Sequence, residues 1–96
     1  MAKAYWISCY RVIKNPERLA EYAKLAAPAV QAGGGRFLAR GMPAKTYDHG
    51  VDQRTVIVEF DSLAAARACH DGPAYQAARK VLGDAVERDF RIIEGV

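Results

Sequence analysis

The first strand-like segment, residues 4–12, carries bulky side chains at both odd and even positions, and this feature constrains the fold most. The segment is rich in the aromatic and β-branched residues that favour pleated strands. Successive side chains of a strand point to opposite faces, so Tyr5 and Ile7 lie on one face and Trp6 on the other. Both faces therefore need cover, and a layer of helices covers only one of them.

A long first helix is predicted after this strand. Asn15, Pro16 and Glu17 are typical of a helix start, because Asn accepts from free backbone N–H groups and Pro loses no hydrogen bond there. Three glycines, residues 33–35, predict its end. Pro28 lies inside this stretch and is expected to kink the helix or to end its regular hydrogen bonding.

The remaining segments also alternate between strand and helix signals. Ser62 is a predicted cap for an alanine-rich second helix, residues 63–69, and Pro73 can start a short third helix that reaches about residue 82. Residues 86–88 are interpreted as a turn. The predicted strands are residues 4–12, 36–40, 54–60 and 90–94.

This order predicts one ferredoxin-like α+β domain over residues 1–96, with βαββαβ connectivity and a four-stranded antiparallel sheet. The helices lie on one face of such a sheet, and the other face is left open. Large exposed apolar surfaces usually mark association sites. We therefore expect a homodimer in which the sheet faces meet, with Trp6 near the contact.

The composition argues against several kinds of partner. The formal net charge is only +3 and acidic residues alternate with basic ones, so neither nucleic acid nor a membrane is an expected partner. Residues 54–60 also lack the aromatic platform of ferredoxin-like RNA-binding domains. Cys9 and Cys69 have no metal-ligand spacing, and neither a metal nor a cofactor is predicted. No signal peptide or bilayer-spanning segment is recognised, which predicts a cytoplasmic protein.

His70 is the first candidate catalytic residue, because histidine is the residue type most able to transfer protons near neutral pH. Tyr75 is close to it in sequence and is a candidate for orienting a substrate. The alternative for His70 is a plain position at the end of a helix, without a chemical role.

A second set of candidate residues lies on the strands. Glu59 interrupts an apolar strand and is a candidate general acid or base, since a carboxylate on an inward face must find a partner or change its pKa. Arg36 and Arg40 are predicted to share one face of the second strand, where they either pair with Glu59 or bind an acidic ligand. Tyr5 is a candidate lining residue of an aromatic pocket, with a place in the core or at an interface as the alternative.

Two functions remain open at this point. The first is a small enzyme that acts on a hydrophobic or aromatic metabolite between sheet and helices, with His70 or Glu59 transferring protons and Arg40 stabilising negative charge. The second is a dimeric binding or accessory domain that holds a small ligand without turnover.

Several short motifs, in one order along the chain, resemble a known family. They are residues 4–7 (Ala-Tyr-Trp-Ile), 34–41 (Gly-Gly-Arg-Phe-Leu-Ala-Arg-Gly), 58–60 (Val-Glu-Phe), 75–79 (Tyr-Gln-Ala-Ala-Arg) and 93–96 (Ile-Glu-Gly-Val). The chain is similar to the domain-of-unknown-function 1330 family of bacterial proteins. The resemblance implies a dimeric α+β barrel with facing sheets and outer helices. It implies no settled activity, since related architectures include cofactorless monooxygenases, lactone isomerases, haem-degrading enzymes and ligand-sensing domains.

The sequence departs from this family pattern between Cys69 and Tyr75. Where relatives typically have Phe-Tyr-x-Ser-Pro-Glu-Tyr, this chain has Cys-His-Asp-Gly-Pro-Ala-Tyr. The difference puts in doubt any site that uses the missing aromatic, hydroxyl and carboxylate groups, and it offers His70 as a replacement.

Overall fold

The structure, a computed structural model, describes residues 2–96 and has the predicted order of strands and helices. The second helical segment is divided in two at Gly72, where Pro73 starts a new helix. None of the helices in residues 2–96 combines the length and apolarity that a bilayer crossing requires. The elements are β1 (Ala4–Ile13), α1 (Pro16–Ala32), β2 (Arg36–Gly41), β3 (Thr55–Phe60), α2 (Leu63–Asp71), α3 (Pro73–Leu82) and β4 (Val86–Glu94).

The four strands form one antiparallel sheet in the order β2-β3-β1-β4. The ferredoxin-like α+β fold predicted from the sequence is therefore confirmed. One boundary was wrong, because the expected turn at residues 86–88 is the beginning of β4. Strand β1 extends to Ile13, which pairs with Val86, so the backbone groups of residues 86–88 find hydrogen-bond partners in the sheet.

Helix α1 continues through Pro28 and ends at Ala32, directly before the three glycines, as predicted, and its regular hydrogen bonding is interrupted at Pro28. A proline inside a helix leaves the carbonyl of the residue four positions earlier, here Lys24, without its usual donor. Both residues are exposed, and water can take the place of that donor. The predicted cap is present, since the Asn15 side chain accepts a 3.1 Å hydrogen bond from the Arg18 backbone N–H.

The helices cover the face of the sheet that carries Trp6, and the prediction of Trp6 at a dimer contact was wrong. The indole ring is 3% exposed and lies 4.9 Å from Phe60 and 4.8 Å from Tyr75, measured between ring centroids. Its Nε1 donates a 3.0 Å hydrogen bond to the carbonyl of Ala66 in α2. The helix layer thus supplies both the apolar cover and the acceptor that a buried indole requires.

The opposite face of the sheet has no helix against it within residues 2–96. In β1 it carries Tyr5, Ile7 and Cys9, and the cross-strand partner of Ile7 on β3 is Ile57. On β4 it carries Ile93, whose surface is 54% exposed. We call this surface the open face. At its centre Ile7 lies between Ile57 on β3 and Arg91 on β4, so the open face combines apolar and charged residues. Its residues are the odd-numbered ones of β1 and not Trp6.

Candidate functional site

A cavity of about 50 Å³, partly open to solvent, lies between α1 and the helix-facing side of the sheet. Small residues of α1 line one wall, and apolar side chains line much of the rest. Its polar lining consists of three arginines, two tyrosines and a serine. The apolar lining residues are Ala23, Ala26, Ala27, Val30, Phe37, Val56 and Phe90, and the polar ones are Ser8, Tyr10, Tyr22, Arg40, Arg54 and Arg88.

Arg88 is the central polar group of this cavity. It is mostly buried, and its guanidinium donates hydrogen bonds to three tyrosine hydroxyls, those of Tyr10 (3.3 Å), Tyr22 (3.2 Å) and Tyr75 (3.1 Å). The Tyr22 and Tyr75 hydroxyls are also hydrogen-bonded to each other at 2.6 Å. A guanidinium has five N–H groups. Three are used in these bonds, so two have no partner within residues 2–96.

The charge of Arg88 is not neutralised by its neighbours. Burial and then the neighbouring Tyr75 hydroxyl raise the pKa of Tyr22 above its ordinary value of 10.0, which keeps Tyr22 uncharged at neutral pH. Burial alone lowers the pKa of Arg88, but the surrounding oxygens of Tyr22, Tyr75 and Tyr10 outweigh it and raise that pKa above the ordinary value. The site therefore contains a persistent cation surrounded by hydroxyl groups.

The other two arginines of the cavity increase its positive charge. Arg40 lies on the helix-facing side of β2, opposite Val56, and its guanidinium is 4.6 Å from the centre of the Phe37 ring. Arg54 lies just before β3 and beside Tyr10, whose backbone N–H donates to the Arg54 carbonyl at 2.9 Å. Neither of them, nor Arg88, forms an ion pair within the described chain, and no carboxylate is among the described residues that line the cavity.

Two polar atoms of the cavity are buried and unpaired. Ser8 is 4% exposed, and its Oγ has no hydrogen-bond partner in residues 2–96. The Nε of Arg54 is in the same situation. Unpaired buried polar atoms are uncommon in native proteins, because a buried donor without an acceptor loses its hydration without compensation. Both atoms belong to residues that line the cavity, so a bound polar group can supply the missing partner.

Two of the residues predicted from the sequence belong to this site. Arg40 lines the cavity directly. Tyr75 is 1% exposed and lies behind it, in contact with Arg88 and Tyr22. Tyr75 therefore holds Arg88 through its hydroxyl and is not itself among the residues that line the cavity.

Glu59, Arg36 and Tyr5 lie together, but on the open face. Arg36 donates two hydrogen bonds to one Glu59 carboxylate oxygen (3.1 and 3.0 Å), and the Tyr5 hydroxyl lies 3.3 Å from the other. Arg36 also donates to Asp61 at 3.0 Å, and this bond is the main reason that the pKa of Asp61 is lowered. Glu59 and Arg36 thus form the ion pair that was the structural alternative.

The prediction that Arg36 shares a face of β2 with Arg40 was wrong. An irregularity in the register between Phe37 and Ala39 reverses the alternation of side chains between the two faces.

His70 lies at the end of α2, away from Glu59. Its ring is 5.9 Å from Trp6 and 5.4 Å from Phe90, and its Nδ1 is 3.1 Å from the Asp71 carboxylate. It lines a separate groove of about 540 Å³ beside β4, which shares Arg88 and Phe90 with the cavity. The three predicted residues Glu59, His70 and Arg40 therefore do not meet in one cavity. No cluster of His, Cys, Asp or Glu within residues 2–96 is arranged to hold a metal ion.

Arg88 was not identified from the sequence, although it is the centre of the site. Residues 86–88 were interpreted as a turn, and a turn residue has no assigned face. The alternation of Arg88, Phe90 and Ile92 was the available signal, because residues two apart share one face of a strand. Had the strand been extended backward, Arg88 would have been placed on the same face as Phe90.

The fold is similar to that of several solved structures, and the similarity comes with low sequence identity. A protein of unknown function from Rhodopseudomonas palustris is 18% identical, with a TM-score of 0.78 over 99% of this chain and 83% of that one. A dimeric ferredoxin-like protein of unknown function from Thermobifida fusca is 17% identical, with a TM-score of 0.68 over 98% and 92% of the two chains. SnoaB, a cofactor-independent oxygenase from Streptomyces nogalater, is 11% identical, with a TM-score of 0.68 over 100% and 95%. At these identities the likeness shows the fold alone.

The fold and these likenesses define a ferredoxin-like α+β protein of the kind found in several uncharacterised proteins and in a cofactor-independent oxygenase. No curated protein matches the sequence. The family described as "Domain of unknown function (DUF1330)" matches residues 3–96, and the chain belongs to this family. The resemblance seen in the sequence motifs is thereby confirmed.

Proposed function

We propose that this chain, acting as one domain over residues 1–96, binds a small carboxylate-bearing metabolite in the cavity between α1 and the sheet. The observation that carries the proposal is the mostly buried Arg88 guanidinium, whose partners in the structure are tyrosine hydroxyls. A buried charge without a counter-charge is costly. A ligand carboxylate would supply the counter-charge. It would also accept hydrogen bonds from the two N–H groups of Arg88 that have no partner.

The surroundings of Arg88 support an anionic ligand with an apolar part. Arg40 and Arg54 add positive charge at the same cavity, and the lining includes Phe37, Val56 and Phe90. Binding sites for small molecules commonly combine apolar walls with a few polar groups that orient the ligand. This composition favours a short organic acid over an inorganic anion.

The proposal predicts that carboxylates stabilise the protein and that their uncharged amides do not. Thermal unfolding is measured with propionate, butyrate and benzoate, and with propionamide, butyramide and benzamide, at constant ionic strength. We expect the midpoint to rise with carboxylate concentration, because a ligand that binds only the folded state stabilises it. Equal effects of acids and amides, or no effect of any acid up to high millimolar concentration, would rule out the anion site.

A second candidate function is proton transfer by His70 on a ligand held by Arg88. It is supported by the groove beside β4, which His70, Arg88 and Phe90 line together. It predicts that the protein converts a bound acid into a product and that His70→Ala abolishes conversion without loss of binding. If a panel of acids binds and none is converted, proton transfer by His70 is ruled out and the protein is a binding domain without turnover.

We also propose that the chain forms a homodimer through its open face. Support comes from the apolar residues that this face leaves uncovered: Ile7 and Ile57 are neighbours, and Ile93 is 54% exposed. The Thermobifida fusca protein, described as a dimeric ferredoxin-like protein, has the same fold. The cytoplasmic location stays a prediction from the sequence.

Ile7→Lys is expected to convert the dimer into a monomer, because it adds a second positive charge beside Arg91 in the proposed contact. Light scattering after gel filtration should give twice the chain mass of 10.5 kDa for the wild type and the chain mass for the variant. Leu25→Lys, at a position 46% exposed on α1, is the matched control and should remain dimeric. A monomeric wild type at micromolar concentration would contradict the proposal.

A further inference from the structure

We infer that the ligand carries a second oxygen on the carbon next to its carboxylate, so that it is a short 2-hydroxy or 2-oxo acid. This inference rests on the proposed function, since it takes the carboxylate to be bound by Arg88. It deepens that function by using two buried atoms that the carboxylate alone does not explain, Ser8 Oγ and Arg54 Nε.

The sheet places Ser8, Arg54 and Arg88 on one face, where all three line the same cavity. Tyr10 of β1 pairs with Arg88 on β4. On the other side of β1, the Tyr10 backbone N–H donates to the carbonyl of Arg54. Arg54, Tyr10 and Arg88 therefore form one row across the helix-facing side of the sheet. Ser8 lies in the next row on the same face, because it is two residues before Tyr10 in β1.

The immediate neighbours of Ser8 offer its hydroxyl no partner. Its cross-strand neighbours are Val56 and Phe90, both with apolar side chains. Packing requirements do not explain a serine there, since alanine would fill a similar space without a buried hydroxyl. A ligand oxygen in the cavity would accept from the hydroxyl or donate to it.

The chemistry of the donors defines the second group of the ligand. The Nε–H of Arg54 can only donate, whereas the Ser8 hydroxyl can donate or accept. A keto oxygen accepts from both, and a hydroxyl accepts from Arg54 while it exchanges a hydrogen bond with Ser8. In an unsubstituted fatty acid the two carboxylate oxygens alone would have to serve Arg88, Ser8 and Arg54, so the site should discriminate against it.

The size of the cavity limits the length of the ligand. A single water molecule needs roughly 10–15 Å³ of cavity volume. The cavity of about 50 Å³ therefore suits a group of a few heavy atoms, such as a carboxylate with its neighbouring oxygenated carbon. Acids of three or four carbons fit this limit, and any longer chain must extend through the opening toward solvent.

The test compares acids that differ by one oxygen. Titration calorimetry on the full chain measures lactate and pyruvate against propionate, for the wild type and for Ser8→Ala. We expect at least one of the oxygenated acids to bind wild type at least tenfold more tightly than propionate. In Ser8→Ala this preference should fall to threefold or less, while the affinity for propionate stays unchanged.

Two further measurements keep the inference falsifiable. Unliganded Ser8→Ala should be at least as stable to heat as wild type, because it removes a hydroxyl that has no partner. Arg54→Met provides a second variant, which should reduce the same preference. Equal binding of lactate, pyruvate and propionate to wild type overturns this inference and leaves the carboxylate site standing. Failure of all three acids, and of benzoate, to bind overturns both.

Discussion

Replacing Arg88 with methionine is expected to weaken the binding of small carboxylates at least tenfold. A hydrogen bond to a charged group contributes about 1.5–3 kcal/mol, and about 1.4 kcal/mol corresponds to a factor of ten in affinity. The Arg88 guanidinium is mostly buried. Solvent therefore screens its interaction with a ligand less than it would at the protein surface. Titration calorimetry with propionate at fixed ionic strength measures the change.

The fold should tolerate this replacement. Methionine occupies much of the same space, and removal of a buried charge offsets the loss of hydrogen bonds to Tyr10, Tyr22 and Tyr75. The bond between the Tyr22 and Tyr75 hydroxyls does not depend on Arg88 and remains available. We expect the free energy of unfolding in urea to change by less than about 2 kcal/mol.

Arg67→Met is the matched control for Arg88→Met. Arg67 is exposed on α2 and forms no ion pair within residues 2–96, so its loss should change neither binding nor stability. Arg88→Lys should give an intermediate affinity, since lysine keeps the charge but loses the planar fork that binds a carboxylate in two places. If Arg88→Met binds propionate as tightly as Arg67→Met, the carboxylate is not held by Arg88.

Trp6→Ala is expected to lower the free energy of unfolding by about 3–5 kcal/mol, the usual cost of removing a large aromatic side chain from a core. The ring packs against Phe60, Tyr75 and Phe90, and its loss also leaves the Ala66 carbonyl without the indole donor. Domains of this size are stable by only about 5–15 kcal/mol. Urea unfolding followed by circular dichroism measures this loss, which is a large fraction of the stability of such a domain.

One further variant separates the hydrogen bond of Trp6 from the packing of its ring, and a variant at an exposed position serves as the control. Trp6→Phe keeps an aromatic ring but not the hydrogen bond, and should cost about 1–3 kcal/mol. Tyr47→Ala, at a position 74% exposed, should cost about 0.5 kcal/mol or less. If Trp6→Ala were instead to leave the unfolding of the monomer unchanged and only weaken the dimer, the assignment of Trp6 to the helix-facing core would fail.

Local patterns were enough to predict the elements of the fold. The Asn15 and Ser62 caps both form as expected, each accepting a hydrogen bond from a backbone N–H at 3.1 Å. These signals act over a few residues, so neighbouring sequence is sufficient to recognise them. The beginning of β4 depended on a distant partner, Ile13, and a local pattern did not contain that information.

The candidate site was only partly predictable. Arg40 was recognised as an anion-binding candidate and lines the cavity, and Tyr75 contacts the guanidinium at its centre. Glu59 was proposed for the same kind of cavity, but it lies on the other face of the sheet, paired with Arg36. Neighbours in sequence indicate which residues alternate on a strand, but they do not indicate what packs against each face.

The sequence by itself determined the order of strands and helices, and with it a ferredoxin-like sheet whose first strand is apolar on both faces. The tertiary structure decided which face of that strand the helices cover, because an alternating pattern with bulky residues at both sets of positions allows either choice. It also placed Arg36 and Arg40 on opposite faces through the irregularity after Phe37. Finally, it brought Arg88 to three tyrosines from other parts of the chain, since only the register of β4 on β1 and the packing of α1 and α3 join them.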